Sequence, residues 1–208
     1  MDENKIYKCI NVEQLNIVEP DGTKKLCLFN SQNIPPLIMD GEDIFPGHRQ
    51  GSGTAGMIFF NTEGDECGGL ALSSQKLPDG GYRSDLSMTF DQYKNDQLVQ
   101  MFISEENRVR EYGFRIFDRP NAHLKETVEL LKKAREAKSD EEYMKIMEPV
   151  ISQTAVRMHI GKKADGSVGI HINDSTGRER IRVVVDENDE PRLELYDENG
   201  TVVASLTD

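Results

Sequence analysis

The residues best equipped for chemistry stand together in Asn61-Thr62-Glu63-Gly64-Asp65-Glu66-Cys67-Gly68-Gly69. Three carboxylates and a thiol sit beside three glycines, and glycine lets a ligand or another backbone approach closely. Adjacent carboxylates suit either acid/base work or hard oxygen ligation of a metal. That makes Asp65 and Glu66 the candidates, with Cys67 nearby. Their spacing opposes a shared site, because consecutive strand residues point to opposite faces. The string also lacks the alternate oxygens and closing glutamate of an EF-hand calcium loop. Its competing reading is a tight, glycine-demanding turn or a subunit contact.

The four histidines are His48, His123, His159 and His171. His48 lies in Gly47-His48-Arg49-Gln50-Gly51-Ser52-Gly53 and is the candidate catalytic base, free to meet Asp65 or Cys67 in space. No nucleophile motif accompanies it. The same string lacks the Walker lysine and joins no strand to a helix, so it is not a phosphate loop. His159 and His171 fall on neighbouring candidate strands, as two metal ligands or as ordinary packed histidines; the sequence places no third ligand. Phe59, Phe60, Phe90, Tyr93, Phe102, Phe114 and Phe117 suit a sugar platform, or a core.

These residues must be positioned by hairpins. Apolar runs at 15–18 and 26–29 flank Glu19-Pro20-Asp21-Gly22, and runs at 57–60 and 70–72 flank the Asn61 to Gly64 turn. Runs at 98–103 and 109–117 flank residues 104–107. Residues 89–97, acidic and aromatic, read as a turn between strands or a partner contact. Five more strands are expected at 156–160, 168–172, 181–185, 193–196 and 201–204, with turns about 11 to 12 residues apart. Such spacing is that of an antiparallel meander. Gly56 to Gly64 and Gly169 to Gly177 share an eight-residue glycine spacing with an apolar strand between, a hint of repetition that hairpin geometry alone also produces. Between the β regions, Asn121 is expected to cap a helix carrying Leu124, Val128 and Leu131. Ser139 and Glu142 form a capping box for a second. Residues 34–56, rich in Pro and Gly, read as a long ordered loop or a connector. The fold expected is mainly β, antiparallel hairpins in a sandwich, barrel or prism-like arrangement with an inserted helical segment. Its regions are 1–120 (β-rich), 121–151 (helical connector) and 152–208 (meander).

Composition narrows the function. Only 37% of the 208 residues are hydrophobic, a lean core for one chain, which favours sharing it in a homo-oligomer. The net charge of −12 argues against a phosphate-binding surface and disfavours anionic membranes, so neither nucleic acid nor membrane is expected as a partner. Cys9, Cys27 and Cys67 make no CxxC pair, so neither structural zinc nor a cofactor is expected. No leader or spanning segment is recognised, and the expected location is cytoplasmic.

The segment from Phe59 to Leu70, the Asn16 to Gly22 hairpin, Phe90-Asp91-Gln92-Tyr93 and the run from Asp174 to Val203 together resemble a group of uncharacterised bacterial proteins. The resemblance spans most of the chain in matching order. It implies a bacterial source and a family role for the GDECGG turn, and carries over no activity. The leading expectation is a non-catalytic, β-rich binding or self-assembling protein, associating through strand edges and glycine-rich turns. Its rival is a hydrolase or carbohydrate-acting enzyme using Asp65, Glu66 and His48; a divalent-metal site is the third possibility.

Overall fold

The structure, a computed structural model, describes residues 6–206. Among them, in chain order, are β1 (Gln14–Val18), β2 (Lys24–Phe29), β3 (Ile38–Met39), β4 (Glu42–Asp43), β5 (Ala55–Phe60), β6 (Glu66–Lys76), β7 (Tyr82–Asp91), β8 (Gln97–Glu106) and β9 (Val109–Asp118). Helices α1 (Leu124–Ala134) and α2 (Asp140–Ile151) follow, then β10 (Ala155–Lys162), β11 (Val168–Asn173), β12 (Glu179–Val185), β13 (Pro191–Tyr196) and β14 (Val202–Leu206).

Twelve of these strands form one antiparallel sheet, ordered β1-β2-β5-β6-β7-β8-β9-β10-β11-β12-β13-β14. Each strand pairs with the next, and β3–β4 make a separate two-stranded hairpin. The sheet is open, with β1 and β14 at its edges, and is not closed into a barrel. Because β9 pairs with β10 across the helical segment, both β regions belong to the same sheet.

Five-residue loops drive this meander. In residues 19–23, 61–65, 77–81, 163–167, 174–178 and 197–201 the first amide donates to the fifth carbonyl and the fourth amide to the first carbonyl. The fourth residue is glycine in each, at a positive φ between 79° and 100°. This is a tight turn closed by a left-handed residue, a connection that suits the twist of hairpin strands. Two turns with the same hydrogen bonds differ: at 186–190 the fourth residue is Asp189, at φ 63°, and at 92–96 the positive φ, 53°, falls on Lys94.

Strand β7 was not expected. The turn read at 89–97 is confined to residues between β7 and β8, because Ser84, Asp85, Ser87 and Thr89 hide a strand behind polar side chains. The start of α1 also shifts: His123, not Asn121, is its cap, and its Nδ1 accepts from the Lys125 amide at 3.1 Å. Ser139 does cap α2, its Oγ accepting from the Glu142 amide at 3.2 Å.

The two faces of the sheet differ. On one, Ile34, at the start of the flap that carries β3 and β4, packs against Cys27, Phe29, Ile58 and Phe60. Leu37, Met39, Ile44 and Phe45 of that flap pack on Val128 of α1. The opposite face carries no flap, helix or second layer among the described residues. Buried apolar residues are accordingly concentrated under the flap, a small core for a sheet this wide.

Candidate functional site

The bare face is ordered by register. Directly paired from one edge to the other run Leu15, Leu28, Met57, Leu70, Met88, Met101, Phe114, Ile160, Ile170, Val183, Leu193 and Leu206. A second row starts at Ile17 and Leu26 and ends at Leu195 and Ala204, apolar throughout apart from Gly68. A third includes Leu72, Leu86, Ile103 and Tyr112. Beyond it the paired residues turn polar, with Ser74, Ser84, Glu105 and Arg110. The neighbouring row on the other face shows the contrast: Thr89, Gln100, Arg115, His159, His171, Arg182 and Glu194. Strict alternation along each strand has therefore sorted one face to be apolar across twelve strands.

Those apolar side chains are wet. Met101 is 59% exposed, Phe90 51% and Ile170 37%. The accessible surface of the chain is 13682 Å². A compact chain of 23.5 kDa exposes about 9,800 Å². The extended stretch at 6–13 contributes at most about 1,400 Å² of the surplus, leaving about 2,500 Å² above a compact chain. Monomers rarely carry apolar patches beyond a few hundred Å².

The GDECGG turn builds a different place. A bulge between Phe59 and Phe60 lets Glu66 pair with Phe60, on the flap side of the sheet. There Arg49 grips Glu66 with two hydrogen bonds of 2.7 Å. Asp65 points elsewhere, accepting the Asp40 amide at 2.6 Å, and is fully buried. The expected divergence of Asp65 and Glu66 is thus what the chain adopts, through a turn and a bulge. His48 is exposed, its Nδ1 is 3.0 Å from the Phe45 carbonyl, and its ring stacks on Phe45 at 4.8 Å. Partial burial and Arg49 push His48 below its usual value, offset in part by the Phe45 carbonyl. Burial, with Asp91 and Glu66, pushes the Cys67 thiol up, away from the reactive thiolate.

His48 and Glu66 both line two adjoining clefts of about 350 and 270 Å³ beneath the flap. The smaller one adds Asp91 and Asp96, which the sequence did not single out. Burial, then Glu66 and Asp96, pushes Asp91 up to about 7 against the opposing pull of Arg49 and Arg119. Only its position in a segment read as a turn marked Asp91 in advance. His159 and His171 pair directly across β10 and β11, with ring centres 5.9 Å apart, and both are buried. His171 Nδ1 lies 2.5 Å from Glu179 Oε1.

No protein-family model, curated protein or solved structure matches the chain.

No helix among the described residues is long and apolar enough to cross a membrane.

Proposed function

We propose that this chain is a non-catalytic assembly protein that completes its core by packing the bare face of its sheet against further copies of itself. The observation that carries the reading is the unbroken apolar row from Leu15 to Leu206. Covering an excess of about 2,500 Å² per chain falls in the range of obligate homo-oligomer interfaces, which resemble a domain core cut in half. The polar row at Ser74, Ser84, Glu105 and Arg110 supplies the rim such interfaces have. Pairing through the β1 and β14 edges would lengthen the sheet yet leave that face wet, so the face rather than the edges is the main contact. An acidic chain repels anionic lipid, which favours another copy over a membrane as the cover.

Native mass spectrometry of the untagged protein at micromolar concentration tests this. A defined homo-oligomer without added mass is expected, and Met101→Glu with Ile170→Glu shifts it to monomer or smaller species. A wild-type monomer at those concentrations sinks the proposal.

A second reading rests on the smaller cleft. Asp91, protonated near neutrality beside an Arg49-paired Glu66, suits a general acid and a carboxylate partner in hydrolysis. A panel of chromogenic glycoside and ester substrates decides it: turnover abolished by Asp91→Asn supports the reading, and no turnover removes it.

A further inference from the structure

Three loops converge at the flap end of the molecule. The β3–β4 turn brings Asp40, the β5–β6 turn brings Glu63 and Asp65, and the β7–β8 turn brings Lys94. The Asn61 side-chain oxygen accepts the Glu63 and Asp65 amides at 2.8 and 3.0 Å, fixing both carboxylates. The Asp40 amide donates to Asp65 Oδ1, and the Leu124 amide donates to the Lys94 carbonyl at 2.8 Å, so the start of α1 is tied to the same corner. Lys94 holds Asp40 in an ion pair and Glu63 at 3.0 Å. Tyr93 donates its hydroxyl to Glu63 at 2.9 Å, and His123 Nε2 lies 3.1 Å from Asp40 Oδ2.

Asp65 is the anomaly. Its side chain is 0% exposed, and its Oδ2 is buried without a hydrogen bond. Lys94 Nζ is 3.6 Å from that oxygen, longer than charge-assisted hydrogen bonds run. A buried carboxylate oxygen left without a hydrogen bond is costly. Three carboxylates also share the one ammonium of Lys94 at this corner. One ligand oxygen from each of Asp40, Glu63 and Asp65 lies within 4.8 Å of the other two. That span is about twice a calcium–oxygen bond of roughly 2.4 Å.

We propose that Asp40, Glu63 and Asp65 form a divalent-cation site suited to Ca²⁺, in which the Lys94 ammonium is the ion's competitor. The oxygen-only donor set suits a hard cation, and Ca²⁺ tolerates the irregular geometry that three separate loops provide. Binding displaces Lys94 towards solvent, gives Asp65 Oδ2 its missing partner and ties the flap to two sheet loops. The site is independent of the assembly reading and of the cleft holding Glu66.

Terbium luminescence excited through tyrosine tests it on the full chain, since the Tyr93 hydroxyl is hydrogen-bonded to Glu63. Saturable emission that Ca²⁺ displaces is expected from wild type, with matching heats in calorimetry. Lys94→Met is expected to tighten Ca²⁺ by about tenfold, and Glu63→Gln to weaken it by about tenfold, because affinity follows the charge count of the ligands. Asp65→Asn loses binding. Because that variant removes a buried group and can misfold, the exposed Glu63 carries the test as well. Absence of both luminescence and calorimetric heat in wild type with millimolar Ca²⁺ overturns the proposal. So does binding that Glu63→Gln and Lys94→Met leave unchanged.

Discussion

Asp91 and His159 are ionisable groups that burial pushes in opposite directions along the pH axis. Asp91 is driven up to about 7, so the folded chain keeps its proton while the unfolded chain releases it near pH 4. Stability from Asp91 is therefore fully present below that unfolded value and lost as pH rises towards 7. His159 is driven below its usual value, mainly by burial; Arg115, His171 and Lys163 add to this and Glu111 opposes it. Lys163 and His171 reach Glu179, which is the other carboxylate of that cluster. Stability from neutral His159 is present above about 6.5 and lost as pH falls. The two slopes partly cancel in wild type, and substitutions separate them. Asp91→Asn is expected to raise the melting temperature at pH 8 by about 3 °C or more and to have little effect at pH 4. His159→Phe is expected to flatten the loss of stability between pH 7 and 5. Melting curves of both variants across pH 4 to 8 provide the check, and an unchanged profile in either one contradicts its assignment. The sequence marked His159 as a ligand or a packed histidine and Asp91 only by its segment; neither shift was legible there, since burial and neighbouring charge belong to the folded chain.

Elements were more legible, because loops and caps are local. Six glycines at the fourth place of five-residue turns fix the hairpins, and Ser139 fixes the start of α2. Strand β7 escaped because its alternation carries Ser, Asp and Thr where neighbours carry aliphatic residues, so it gains order from pairing on both sides. Glycine has a second use inside the sheet. Gly113, Gly161 and Gly169 pair across three consecutive strands. A Cβ at Gly161 would lie 2.1 Å from the Tyr112 carbonyl oxygen, and one at Gly113 would lie 2.1 Å from that of Ile160. Both glycines also sit at positive φ, 152° and 149°. Gly161→Ala is expected to cost about 2 kcal/mol or more, since backbone atoms must move. Gly22→Asn, in open space at φ 92°, is expected to cost about 1 kcal/mol or less. Urea unfolding of both at one protein concentration distinguishes them, and equal losses would remove the packing argument.

At the scale of the molecule, a single-layer sheet with one covered face buries too little to account for its own breadth. If copies share the bare face, folding and association are linked, and stability depends on protein concentration. The melting temperature of wild type is expected to rise by several degrees over a hundredfold increase in concentration, while Met101→Glu melts lower and without that dependence. A concentration-independent wild-type melt, together with a monomer in solution, would leave the apolar face without its proposed partner.

By itself the sequence determined the mainly β character, the meander, the two helices and the acidic charge. Each of these follows from periodicity, turn chemistry or composition, which act over a few residues. It also offered the divergence of Asp65 and Glu66 as the outcome for a strand, whereas the chain reaches it through a turn and a bulge. Only the tertiary structure decided that both β regions join through β9 and β10, and that apolar residues of twelve strands fall into register. It also decided that Asp40, Glu63, Asp65 and Lys94 meet. The reason is that register couples residues far apart in the chain: Asp40 and Lys94 are 54 positions apart, and nothing local in either loop specifies the other.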